Sequence, residues 1–188
     1  MNTNVFSVAL IHHPVYDKNG QVVTTAVTNL DIHDIARASR TFGADRYYIV
    51  TPVAEQQAMV QRIVSHWQDG WGATYNPKRK AALDMVCISP SLAAARQDMA
   101  VRRGRVPKIV VTGAAGTAAS VSSSELAERF KTGDDDYLLL FGTGWGMTEE
   151  IFAAADLVLE PIRGSGTYNH LSVRSAVSIY LDRLFGLR

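Results

Sequence analysis

Two short stretches carry the residue types from which a ligand site can be built. The first is LLLFGTGWGMTEE, residues 138–150, where Gly142, Gly144 and Gly146 follow the apolar run that ends at Leu140 and Phe141. Glycines at that spacing let the main chain turn sharply and come close to a flat ligand or to another segment. A dinucleotide fingerprint wants GxGxxG opening a helix after the first strand, and a phosphate loop wants lysine and a hydroxyl residue after its last glycine. Here the spacing differs, the loop lies late in the chain, and Met147 and Thr148 follow Gly146. Glu149 and Glu150 fall in the first turn of the next helix, where they suit its positive end and would repel an external phosphate. Alone, the loop reads as a tight turn or as a seat for a ligand that is not a phosphate.

The second stretch is IRGSGTYNHLSVRSAV, residues 162–177. It sets Gly164 and Gly166 beside a polar cluster of Tyr168, Asn169, His170 and Ser172, ahead of a helix with Val173, Ala176, Val177 and Leu181 on its apolar side. Two glycine-bearing turns after neighbouring strands frame a cleft lined by main-chain N–H and C=O groups. Such a cleft hydrogen-bonds a neutral adenine and leaves side chains for a zwitterionic tail. His170 is a candidate general base, since an unperturbed imidazole titrates at about pH 6.5, and equally a candidate capping residue. Arg163 is placed to meet a phosphate or to form a salt bridge.

These loops need strands that end where the loops begin. Six β-rich runs meet the need: Phe6 to Ile11, Tyr47 to Val50, Met85 to Ile88, Lys108 to Thr112, Tyr137 to Phe141 and Leu157 to Leu159. Between them lie helical patterns such as Ile32, Ile35, Ala36 and Phe42, or Met59, Ile63, Val64 and Trp67. The alternation predicts an α/β fold, a largely parallel sheet with helices on both faces, as one domain over residues 1–188. Asp31 is the predicted cap of the first helix and Gly43 its stop; Ser89-Pro90-Ser91 opens another. Some twenty residues follow the first strand, with a turn at Asp17-Lys18-Asn19-Gly20 and a hairpin or flap over Gln21 to Ala26. Connections of that length are often functional, and both long loops emerge where open α/β sheets bind ligands.

Composition narrows the classes. The 188 residues are 47% hydrophobic, enough for one well-filled core, and no apolar run reaches membrane-spanning length. The first residues lack the features of a signal peptide, and the single cysteine, Cys87, sits in an apolar run and reads as a buried thiol, so a cytoplasmic location is expected. Net charge is +1, yet Lys78, Arg79 and Lys80 form one basic cluster and Arg102, Arg103, Arg105 and Lys108 another. Such clusters track phosphates or are solvated surface. Trp67, Trp71 and Tyr75 precede the first cluster; exposed rings there would stack a base, although both tryptophans are expected in helix packing. His12 and His13 end the first strand beside Pro14 as possible lining of a substrate mouth. Neither HExxH nor CxxC occurs, and no metal is expected.

Three segments together carry a family resemblance: NLDIHDIARASRTFGA at 29–44, LLLFGTGWGM at 138–147 and LEPIRGSGTYNHLSVRSAVSI at 159–179. With them the chain resembles the SPOUT class of S-adenosylmethionine-dependent RNA methyltransferases, the stand-alone group related to tRNA guanine-N1 and ribose 2'-O enzymes. The resemblance implies a SPOUT-like sheet whose C-terminal segment is threaded into a deep trefoil knot, against the usual rule for connections. It implies that the loops at Phe141–Gly146 and Ile162–Ser172 hold S-adenosyl-L-methionine. Leu140, Gly142, Ile162 and Leu171 would border the adenine with Gly164 nearby. Thr112 and Gly113 would touch the ribose or methionine end, and Ser172 the methionine tail.

It further implies a homodimer acting on structured RNA, tRNA or rRNA. The C-terminal helix, with Ile179, Tyr180, Leu184 and Phe185, is an interface candidate or a core element. Arg37, six residues before Gly43, occupies the place of the ribose branch's arginine and would activate the attacking hydroxyl. Asn169 would orient the target or the cofactor carboxylate, with Asn29, Asp31, Arg163 and Tyr168 toward the substrate. Two departures stand out: Asp31 where that branch has asparagine, and Tyr168-Asn169-His170 in place of Ser-Leu-Asn. Ribose 2'-O transfer is the favoured expectation. A base-nitrogen acceptor, an RNA-binding relative without catalysis and a flavodoxin-like nucleotide-binding domain are the alternatives.

Overall fold

The computed structural model describes residues 4–114 and 120–187. In chain order the elements are β1 (Phe6–Ile11), β2 (Val15–Tyr16), β3 (Val22–Val23), α1 (Asn29–Thr41), β4 (Tyr47–Val50), α2 (Ala54–Gln68), α3 (Trp71–Tyr75) and α4 (Pro77–Leu83). They continue with β5 (Val86–Ser89), α5 (Leu92–Arg103), β6 (Lys108–Val111), α6 (Ser123–Thr132), β7 (Tyr137–Gly142), α7 (Glu149–Ala153), β8 (Leu157–Val158) and α8 (Val173–Phe185). All six expected strands form, two with the expected bounds and four with ends shifted by one residue, and pair in parallel in the order β5-β4-β1-β7-β6-β8.

Strand residues alternate between two packed faces, as a sheet covered on both sides requires. Phe6, Val8, Leu10, Tyr47, Ile49, Leu139 and Phe141 face the layer that includes α1, α2, α4, α6 and α8. Ala9, Ile11, Tyr48, Val50, Leu138 and Leu140 face the layer of α5 and α7. The chain runs from β1 outward to β4 and β5, then returns to build β6, β7 and β8 on the other side. The reversal lies between β1 and β7, and a crevice opens at the carboxyl ends of strands at such a point.

Several local expectations are corrected. Thr28, rather than Asp31, caps α1: its hydroxyl accepts from the Asp31 N–H at 3.2 Å and donates to the Asp31 carboxylate at 2.6 Å. Gly43, with φ +80°, follows the end of α1 as predicted, and Ser91 caps α5. The turn at Asp17 forms, and β2 pairs with β3 in an antiparallel hairpin. The interface candidate α8 packs into the chain's own core. Val177, Tyr180, Leu181 and Leu184 are buried, each such side chain contributing roughly 1.5–3 kcal/mol, and Phe185 stacks on Phe6 at 3.7 Å. Of the tryptophans, Trp67 packs against the core, whereas Trp71 is 70% exposed and stacks on Tyr75.

The second basic cluster is engaged in ion pairs within the chain. Arg103 and Arg105 reach the fully buried Asp136 carboxylate at 3.0 and 2.6 Å, Arg102 pairs with Asp45 and Asp98, and Lys108 lies 3.7 Å from Asp156. Cys87 is half-buried, and burial pushes its thiol above the usual range, which suits an inert thiol. No helix among the described residues is long and apolar enough to cross a membrane.

Candidate functional site

A cavity of ≈ 950 Å³ lies at the carboxyl ends of β1, β6 and β7. Its wall combines Thr25, Ala26, Thr28 and Asp31, Thr112 to Ala114, Phe141 to Met147, and residues from Ile162 to Tyr180. The crevice that the strand order demands is thus closed by the two glycine-bearing loops.

The glycines of the first loop serve chiefly to pack it against the chain itself. A Cβ on Gly142 would stand 2.8 Å from Met147 Cγ and 3.2 Å from its amide nitrogen. Gly144 has φ +61°, and its Cβ would lie 2.9 Å from the Tyr16 carbonyl oxygen. That closeness lets the β2–β3 hairpin dock: Trp145 N–H donates to the Tyr16 carbonyl at 3.1 Å, and Tyr16 N–H to the Gly146 carbonyl at 2.9 Å. By contrast, nothing lies within 4 Å of a Cβ built on Gly146, Gly164 or Gly166.

Three threonines unforeseen from sequence shape the wall. His12 is fully buried; its Nδ1 meets Thr25 Oγ1 at 3.0 Å, and Thr25 shares a short hydrogen bond with Thr143, whose hydroxyl also donates to the Ile11 carbonyl at 2.9 Å. Burial lowers the His12 pKa to about 4, against an opposing pull from Asp31. Its Nε2 is buried with no hydrogen-bond partner, so the ring is neutral and its Nδ1 carries the contact to the cavity wall. Beside it, Asp31 is 5% exposed, with Thr28 on one oxygen and Arg174 Nη1 at 2.7 Å on the other. Thr28 followed by Asp31 has capping-box spacing, a signal present in the chain. Arg174 and Tyr180, also on the wall, had none.

The predicted residues divide. Thr112, Gly113, Phe141, Gly142, Gly144, Gly146, Ile162, Asn169, His170, Leu171, Ser172 and Asp31 line the cavity. Leu140 does not: it is buried within β7, and its carbonyl already accepts from the Thr112 N–H at 3.2 Å and the Thr112 hydroxyl at 2.8 Å. Asn169 Nδ2 donates to the Ala114 carbonyl at 3.0 Å, tying the C-terminal segment to the connection after β6. Ser172 caps α8 through Ser175, which occupies the hydroxyl assigned to a methionine tail. His170 packs edge-on to Tyr168, which is 77% exposed and, with Arg163 and Gly164, lies off the cavity wall. Asn29 and Arg37 lie elsewhere, along a groove between α1, α2 and α4. Within one chain Arg37 is therefore not grouped with Asn169 and His170. Among the described residues no cluster of three or more His, Cys, Asp or Glu side chains is arranged to hold a metal.

The residues fit an adenosyl ligand with a charged tail. The wall offers aromatic and aliphatic surface from Phe141, Ile162 and Leu171, open space beside Gly146, and one buried carboxylate. Residues 5–186 match the family described as SAM-dependent RNA methyltransferase. The chain is 40% identical over 185 residues to an uncharacterized protein of Aquifex aeolicus, covering 98% of this chain and 90% of that one. It is 40% identical over 178 residues to a tRNA (guanine-N(1)-)-methyltransferase of Oleidesulfovibrio alaskensis, covering 95% of this chain but only 41% of that one. Among solved structures, the SpoU methyltransferase AviRb of Streptomyces viridochromogenes in complex with AdoMet superposes with a TM-score of 0.61 at 14% identity, covering 98% of this chain and 58% of that one. That likeness identifies the fold as the knotted SPOUT type.

Proposed function

The chain belongs to the family of SAM-dependent RNA methyltransferases, and from that membership we propose that it methylates a base nitrogen of a nucleotide in tRNA or rRNA. Its cofactor, S-adenosyl-L-methionine, supplies an electrophilic methyl group on a sulfonium centre. The chain's own residues hold and orient. Phe141, Gly142, Gly146, Ile162 and Leu171 seat the adenosine, and Thr112 and Gly113 flank it.

Asp31 carries the acceptor assignment. Its carboxylate lies on the cavity wall, oriented by Thr28 and Arg174, where it can take the proton a ring nitrogen gives up as the new N–CH₃ bond forms. An asparagine there could not accept that proton. The name of the Oleidesulfovibrio relative points the same way, although more than half of that protein lies outside the matched segment. Arg37, the residue favouring ribose 2'-O transfer, lines a different groove in the same chain. The unit, residues 1–188, acts as a homodimer in this reading, as the family resemblance implies.

Labelled methyl transfer from S-adenosylmethionine to RNA from cells lacking this gene, followed by nucleoside mass analysis, tests the proposal. A methylated base is expected. A 2'-O-methylated nucleoside would overturn the base-nitrogen assignment. Cofactor binding without transfer to tRNA or rRNA would overturn catalysis.

A further inference from the structure

The groove between α1, α2 and α4 has a volume of ≈ 590 Å³ and is separate from the cofactor cavity. Arg37 stands on its α1 wall, Arg62 on α2 and Arg79 on α4. Among the described residues none of these guanidinium groups makes an ion pair, unlike Arg102 to Arg105 on the other side of the sheet. The groove's one acid, Asp34, leans toward Arg174 at 3.5 Å. Three cations therefore share a concave surface with one partly engaged carboxylate. Like charges lining one concave surface favour the binding of an anion there.

The floor is aromatic. Trp67 is half-buried, with the Arg79 guanidinium 4.6 Å above its ring and His33 and His66 edge-on at 5.7 and 5.2 Å. Burial and the nearby Arg79 lower the His33 pKa, so that ring adds hydrogen-bonding capacity rather than charge. Its Nδ1 is buried and has no partner in the structure. On α3, off the groove's wall, the exposed Trp71 and Tyr75 rings stack on each other at 4.6 Å.

We propose that this groove is a second RNA contact, in which Arg62 and Arg79 bind phosphodiester oxygens of nucleotides flanking the target while Trp67 holds the Arg79 guanidinium in place. Guanidinium forks match phosphate oxygens in pairs, and such contacts position a polyanion without reading sequence. The role deepens the RNA methyltransferase reading and rests on it. It gives a chain of net charge +1 a local cationic seat for a polyanion.

The test measures binding of bulk tRNA and of a fluorescein-labelled RNA hairpin by anisotropy across a salt series. Wild type is compared with Arg62→Ala, Arg79→Ala, the double variant and Arg129→Ala as a remote control. Each groove arginine removed should weaken binding and reduce the slope of log K against log[salt] by about 0.7 to 0.9. Cofactor affinity, read separately by calorimetry, should stay within about twofold, because these side chains lie off the cavity wall. Arg79→Lys should recover the salt slope but not the full affinity. Unchanged affinity and slope in the double variant would overturn the proposal. So would a change in sedimentation of that variant sufficient to account for its lost RNA binding, which would make the groove a subunit contact. Methyl transfer does not enter the measurement, so failed catalysis with intact groove-dependent RNA binding would count against the enzymatic reading alone.

Discussion

Lowering the pH should destabilise this protein through His12 before most of its carboxylates titrate. The ring is fully buried, one nitrogen bonded to Thr25 and the other without a partner, and its pKa falls from 6.5 to about 4. Between those two values the unfolded chain holds a proton that the folded chain does not. The His12 contribution is thus fully present above about pH 6.5, declines as pH falls, and is gone below about pH 4. A shift of that size corresponds to about 3 kcal/mol in total, of which about 2 kcal/mol is lost by pH 5. Urea denaturation from pH 4.5 to 8, for wild type and His12→Gln, isolates the effect. Glutamine keeps a contact to Thr25 but does not titrate, and other groups that titrate in this range cancel in the difference. The stability advantage of wild type should shrink by about 2 kcal/mol between pH 8 and pH 5. A constant difference, or a His12 ring resonance titrating near pH 6.5, would refute the reasoning.

Other outcomes follow from the same geometry. Asp136→Ala removes the acceptor of Val5 N–H, Arg103 and Arg105 and should cost about 3 kcal/mol in denaturant unfolding, at the low end for a buried pair because both arginines reach water. Gly144→Ala places a Cβ 2.9 Å from the Tyr16 carbonyl at φ +61°; calorimetry should show cofactor affinity falling at least tenfold as the hairpin shifts. Asp31→Asn should slow methyl transfer by about 10²- to 10⁴-fold with cofactor affinity little changed, as measured by single-turnover kinetics and calorimetry. Equal loss of binding and turnover would assign Asp31 to the cofactor instead.

What could be read from the sequence depended on the range of the interaction involved. Apolar runs bounded by turn residues located all six strands of the main sheet, because burial on both faces favours such runs. Asp17 to Gly20 announced its turn through side-chain and glycine chemistry that acts within four residues. The two glycine loops were found, but their reason was not: Gly142 and Gly144 are required by Met147 and by the Tyr16 backbone rather than by open space for a ligand. Tertiary pairing supplied the remainder. Arg174 meets Asp31 across 143 positions, and Asp136 gathers two arginines that looked like free surface charge. The carbonyl of Leu140, a residue expected to border the adenine, is taken by a threonine 28 residues away. No local pattern encodes these contacts, since they depend on which strands become neighbours. The flanking groove was legible only in part: Arg79 and Trp67 stood out as a basic cluster behind aromatic rings, whereas Arg37 and Arg62 join them through helices that converge only after folding.

The most direct test of the account is a crystal structure of the protein with S-adenosylhomocysteine. The nucleoside should lie between the Phe141–Met147 loop and the Ile162–Leu171 segment, with the sulfur facing the Asp31 side of the cavity. A ligand bound in the groove of Arg62 and Arg79, or absent from the cavity at saturating concentration, would contradict it.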